Sequence, residues 1–198
     1  MEVCKENNSK RNTVRNICVT AMFLAFLVVG SWTSIQTGPI KITLQLLAIF
    51  LIGLFLNLKQ SMTLIFSYIF LGLMGLPIFA SFLGGLSQIY SPTFGFILGF
   101  IPGLIIMNLF NRYVIKSVNS ANKRIFYTVL SCFICLLLVY VCGISYGSII
   151  LNLVNNSNYG FIKLLSVFIL PYLPFDVIKI IVAILSYEIV RKYARRYN

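Results

Sequence analysis

The chain has 198 residues, of which 59% are hydrophobic and only 10% charged, with a mean hydropathy of +0.93. A soluble domain carries about 25% charged residues, so the composition reads as an integral membrane protein and excludes a soluble enzyme or nucleic-acid binder. The net charge is +12 and there is no histidine, which removes the commonest general base and the commonest metal ligand together.

The basic residues sit between apolar runs and at both ends, as juxtamembrane charges do, and form no stripe that a nucleic acid would follow. Residues 16–40, 42–58, 60–111 and 125–162 carry no charge at all. A bilayer takes about 20 apolar residues per helix, and these runs predict an all-α fold with six membrane helices in one transmembrane domain spanning 1–198. The first is expected over about 16–35 and the second, short, over about 42–57. The run 60–111 is too long for one span and is split by Gly75, Pro77, Gly84, Gly85 and Pro92. These helix breakers leave helices at about 61–76 and 94–112 with an irregular external segment between them. A fifth helix follows over about 125–147, then a polar loop through Asn152, Asn155, Asn156 and Asn158. The last apolar stretch is interrupted by Pro171 and Pro174, which predicts a final helix over about 174–191.

Six helices with both ends cytoplasmic put 13 basic residues inside and two, Lys41 and Lys163, outside. That asymmetry obeys the positive-inside rule, and a count of five or seven would break it. A cleaved signal peptide over residues 10–32 is the rival for the first helix, but only Gly30-Ser31-Trp32 follows where a small-x-small site belongs. The cysteines Cys18, Cys132, Cys135 and Cys142 lie in apolar stretches. The Cys132-x-x-Cys135 pair has no second pair and no histidine, so it reads as small core or lipid-facing hydrophobes.

Asp176 and Lys179 stand three apart in the last helix and therefore share a face. Ionisable residues inside a span are costly and mark a pathway or a site. Three readings stand: a polar substrate site opening outward, an ion pair that locks the helix to its neighbours, and a proton relay. Pro174 is placed as the first helical residue and Asp176 near the third, where the helix dipole favours an anion. The uncharged segment from Gly75 to Gly95 is rich in Gly, Pro and Ser. Irregular backbone at membrane depth persists only where it is buried in protein or lines a cavity. Ser81, Gly84, Gly85, Gln88, Tyr90 and Thr93 are its candidate binding positions; the alternative is an external hairpin loop. Thr43 and Gln45 open the second helix on the same side, as hydrogen-bonding candidates or as interfacial residues. Ala21 and Ala25 form a small-xxx-small pair on the first helix, which serves either internal packing or the docking of another subunit. There is no phosphate-binding glycine loop and no nucleophile–base set, so active transport would draw energy from a partner or an ion gradient.

These residues together resemble the BioY family, the biotin-specific S components of energy-coupling factor (ECF) transporters. The likeness rests on Ala21-xxx-Ala25, on Pro39 with Ile42-Thr-Leu-Gln45, on Gly72 to Ala80 with Gly84-Gly85 and Ser91-Pro-Thr-Phe-Gly-Phe-Ile-Leu-Gly-Phe100, and on Pro174-Phe-Asp-Val-Ile-Lys179. The family pattern Gly-Pro-Thr-Gly-Gly is altered here at Ser91 and Phe94, and Phe175 stands where a glycine is common before the aspartate. The resemblance implies a non-catalytic, multi-pass cell-membrane protein without a cofactor. It would capture biotin outside and pass it in with a membrane coupling subunit, docked through Ala21 and Ala25, and cytoplasmic ATPases. A secondary transporter of another small metabolite, using Asp176 for ion coupling, and a scaffold subunit are the alternatives.

Overall fold

The computed structural model describes residues 2–36, 41–118, 120–155 and 172–196. The loop residues Asn156 and Asn158, with Pro39, Lys163 and Pro171, lie outside the described residues. The elements are helix α1 (Glu2–Trp32), strands β1 (Ser34–Gln36) and β2 (Lys41–Thr43), and helices α2 (Gln45–Phe55), α3 (Leu58–Leu73), α4 (Phe94–Tyr113), α5 (Ala121–Asn155) and α6 (Leu173–Arg196). Short 3₁₀ turns at Ala80–Phe82 and Leu86–Tyr90 lie between α3 and α4, and a third, Ile115–Ser117, follows α4. Among the described residues the architecture is helical apart from the β1–β2 hairpin. Among the described residues, three helical stretches are long and apolar enough to cross a membrane: Thr13–Trp32, Phe94–Tyr113 and Ala121–Asn152.

The helix boundaries move from the expected ones for identifiable reasons. Charges mark where a helix meets the membrane surface, not where its backbone hydrogen bonds end. So α1, α5 and α6 run past the apolar limits, α5 to 35 residues. At about 1.5 Å per residue, α5 is longer than the roughly 30 Å hydrocarbon core. The first helix was expected to reach residue 35 and the second to begin at 42. Instead α1 stops at Trp32, and Ser34, Ile35 and Gln36 pair antiparallel with Thr43, Ile42 and Lys41.

The central element is α2. Gln45, Leu46, Ala48, Ile49, Phe50, Ile52, Gly53 and Leu54 are all buried, around nearly its full circumference. A helix apolar all round belongs in the middle of a bundle, and α2 packs on α1, α4 and α6. The closest pair is α4 against α5. Gly95, Gly99 and Gly103, one per turn, face Tyr146, Val139 with Cys142, and Cys135, and a β-carbon at any of them would come within 3 Å of α5. Small residues at this spacing let two helices approach closely in a membrane. Cys132 and Cys135 are fully buried in this core, as free thiols. Outward faces carry Met22, Phe66, Phe70, Phe133, Leu137, Ile181 and Leu185, all exposed, as a lipid-facing surface requires.

Polar residues tie the end of the bundle where α2 meets α3 and α4 meets α5. Asn111 donates to the Leu54 carbonyl at 2.5 Å, and Asn108 donates to the Ser61 hydroxyl at 3.1 Å. Arg124 on α5 grips Glu188 on α6 in a bidentate pair at 2.8 and 2.6 Å.

Candidate functional site

The opposite end, where α2, α4 and α6 begin, holds a cavity of about 210 Å³. Its construction starts with the exit from α3. Gly75 takes φ +106°, and the Leu76 and Gly75 amides donate back to the carbonyls of Leu71 and Gly72. This is a Schellman cap, and it turns the chain back over the bundle. The returning segment is then pinned. The Ile78 carbonyl accepts from the Ser31 hydroxyl at 2.5 Å and the Tyr68 hydroxyl at 3.1 Å. The Trp32 indole donates to the Pro77 carbonyl at 2.8 Å. Further on, Tyr146 on α5 donates to the Ile89 carbonyl. Phe79, 3% exposed, drops into the core edge-on to Tyr68 and Phe94. The segment therefore forms a wall of the cavity, as irregular membrane-depth backbone must.

Asp176 and Lys179 close the cavity from α6. They are 5% and 8% exposed, and Lys179 Nζ donates to Asp176 Oδ1 at 2.7 Å. The other carboxylate oxygen accepts from the Tyr140 hydroxyl on α5. The Asp176 amide bonds to the Tyr172 carbonyl, which makes Tyr172 the N-cap. Pro174 is then the second helical residue and Asp176 the fourth, one later than the sequence spacing suggested. Across the cavity, Thr43 donates to the Gln45 side-chain carbonyl at 3.2 Å, and the Gln45 amide donates to Tyr68 at 2.6 Å.

Six of the residues singled out from sequence line this one cavity: Thr43, Gln45, Gln88, Thr93, Asp176 and Lys179. Ser81, Gly84, Gly85 and Tyr90 do not line it. Ser81 is hydrogen-bonded to Ser34 on the hairpin at 3.0 Å. Gly84 lies so close to the Leu76 carbonyl that a β-carbon would come to 2.2 Å, Gly85 holds φ +95°, and the Tyr90 side chain is 71% exposed. Lining residues that the sequence does not mark as binding positions are Tyr140, Tyr172 and aromatic walls that include Phe96 and Phe100. Ser91 and Phe94 were visible as departures from the family pattern; both line the cavity. Ala21 and Ala25 lie elsewhere, on an exposed face of α1.

The family model for the BioY family matches residues 5–196. The chain belongs to the BioY family. Among curated relatives, the biotin transporter BioY of Thermotoga maritima is 33% identical over 173 residues, covering 87% of this chain and 93% of the relative. The biotin transporter BioY of Rhizobium etli is 30% identical, covering 87% and 91%. In fold, the chain is similar to a crystal structure of the S-component for biotin from an ECF-type ABC transporter. The TM-score is 0.72 at 24% identity, over 92% of this chain and 93% of the other. BioY membership makes the chain a member of a transporter family, with multi-pass membrane character.

Proposed function

We propose that this BioY protein is the substrate-binding S component of a biotin uptake system, working with an ECF membrane coupling subunit and cytoplasmic ATP-binding subunits. The observation that carries the reading is the Tyr140–Asp176–Lys179 cluster, set in a cavity whose remaining walls are aromatic and aliphatic and whose other polar groups are neutral. Biotin presents ureido N–H donors, a ureido carbonyl, an apolar thioether ring and a carboxylate tail. A carboxylate that accepts, an ammonium that donates, neutral amides and hydroxyls, and aromatic faces together match every one of those features. Pockets of this kind fix a ligand by a few placed polar groups within an apolar lining. Asp176 accepts hydrogen bonds from both Lys179 and Tyr140, which fixes its carboxylate at the cavity wall.

The same reading includes six spans with both termini cytoplasmic. Arg112, Lys123, Arg124, Arg191 and Lys192 gather at the end of the bundle away from the cavity, so the positive-inside rule turns the cavity outward. It also assigns Ala21 and Ala25, exposed on α1, to the coupling subunit, because small side chains permit a close helix approach. The test is equilibrium binding of biotin, thiamine, riboflavin and folate to the purified protein. Saturable binding of biotin alone is the expected result, and preference for another member of the panel overturns the substrate assignment.

A further inference from the structure

A second cavity, of about 390 Å³, lies at the opposite end of the molecule, lined by Ala121, Arg124, Glu188, Ile189, Arg191 and Lys192. Its charges are unbalanced. Arg124 and Glu188 neutralise each other, with both guanidinium bonds going to the two carboxylate oxygens. The lining as a whole carries three cationic side chains, Arg124, Arg191 and Lys192, against one carboxylate, Glu188. The Arg191 guanidinium meets the Tyr187 hydroxyl, but its Nη1 is buried and has no hydrogen-bond partner among the described residues, and Lys192 is exposed at the rim. Leaving a buried donor of a charged group unsatisfied is costly, so the place asks for an acceptor. The backbone adds donors of its own. The Arg124 amide bonds to the Ser120 carbonyl, which makes Ser120 the cap of α5 and leaves the first-turn amides after it without partners inside the helix. That turn carries no acidic residue to answer the positive end of its dipole.

We infer that this cavity binds the phosphate of an anionic phospholipid headgroup, with Arg191 as its principal ligand and Lys192 and the α5 amides as secondary donors. A guanidinium matches phosphate oxygens in pairs. The site lies among the basic residues of the end placed at the cytoplasmic surface, the depth at which pockets between membrane helices meet anionic headgroups. The orientation rests on the reading above; the anion chemistry does not.

The experiment is native mass spectrometry of the purified full chain titrated with phosphatidylglycerol, phosphatidylcholine or inorganic phosphate, with biotin affinity measured in parallel as a check on folding. Phosphatidylglycerol is expected to bind in preference to phosphatidylcholine. Arg191→Gln should weaken it at least about tenfold, the loss carried by one charge-assisted hydrogen bond, while Arg191→Lys retains part of it. Should Arg191→Gln fail to fold, Ala121→Leu, which fills the cavity without touching a charge, takes its place and should displace the lipid. Equal binding of the two lipids, or binding that survives both substitutions, overturns the site. Inorganic phosphate that binds and displaces the lipid upholds the anion site and overturns the lipid as its source. If Arg191→Gln leaves lipid binding intact but lowers co-purification of the coupling subunit, the cluster is a protein-docking surface and the proposal fails.

Discussion

Removing the charges of Asp176 and Lys179 one at a time and then together separates a binding role from a structural one. Lys179→Met keeps the length of the side chain and removes the ammonium that lies 2.7 Å from Asp176. Asp176 is 5% exposed and retains only the Tyr140 hydroxyl. Breaking a buried pair from one side costs about 3–5 kcal/mol of stability, and the adjoining cavity, which admits water, places the cost at the lower end. Asp176→Asn strands the Lys179 ammonium in the same way. The double variant Asp176→Asn/Lys179→Met carries neither charge, and replacing both partners of a buried pair is often neutral for stability. It should therefore melt close to the wild type while each single variant melts well below it. Biotin affinity should follow a different pattern. A ligand that hydrogen-bonds to these charges loses at least about 1.5 kcal/mol, roughly tenfold in Kd, in each single variant, and the double variant should recover none of it. Thermal unfolding and equilibrium binding on the same purified samples give both quantities. A double variant that binds biotin within a factor of about three of the wild type, well under one such hydrogen bond, refutes the argument and returns the pair to helix locking.

Other expectations follow from the same geometry. Tyr140→Phe removes the second donor to Asp176 without opening a void, and should weaken biotin by a smaller factor than loss of either charge, measured in the same binding assay. Replacing Ala21 and Ala25 by Trp, on the exposed face of α1, should abolish co-purification of the coupling subunit and ATP-driven uptake while biotin binding survives; joint loss of binding and uptake would count against docking. In a cysteine-free background, Leu86→Cys should react with an impermeant reagent added outside whole cells and Ser120→Cys should not, both positions being exposed; the reverse pattern inverts the topology. Saturating biotin should slow amide exchange across residues 77–93, and unchanged exchange would make that segment a passive connector.

The sequence exposes some of these features and hides others for physical reasons. Charge-free runs are legible because a bilayer tolerates so few charges, and α4, expected at about 94–112, is found at Phe94–Tyr113. Asp176 and Lys179 are legible for the same reason: an ionisable pair within an apolar helix has no bland explanation of equal weight. Tyr140 is not legible. A tyrosine in an apolar run is common, and its meeting with Asp176, 36 residues away, depends on how α5 lies against α6. The hairpin is hidden because two strands of three residues each are too short to show a period of two. Gly84 and Gly85 point to a special backbone but not to its purpose. One is pressed against the Leu76 carbonyl and the other takes a left-handed φ, and neither property is visible without the neighbours. The glycine ladder Gly95, Gly99 and Gly103 has the same small-xxx-small spacing as Ala21 and Ala25. Periodicity alone could not say that one stripe faces a helix of the same chain and the other faces outward.

The pinning of the 77–93 segment also decides where a ligand can enter. Its beginning is held by three donors from the bundle, Ser31, Trp32 and Tyr68, and its end by Tyr146. Between those anchors Ser81 bonds to Ser34 on the hairpin, the Phe82 ring stacks on Trp32 of α1 at 5.0 Å, and the Gly85 amide donates to the Gly72 carbonyl of α3 at 2.7 Å. Ser81 and Phe82 also hold φ of 62° and 59°, a region that costs non-glycine residues free energy. Few bonds and unfavourable backbone together define the part of a structure that opens first. Protection by biotin in the exchange experiment should therefore be largest over residues 80–83 and smallest at the held positions Ile78, Gly85 and Ile89. A uniform change along the whole segment would mean that it moves as one body and that the anchors give way together.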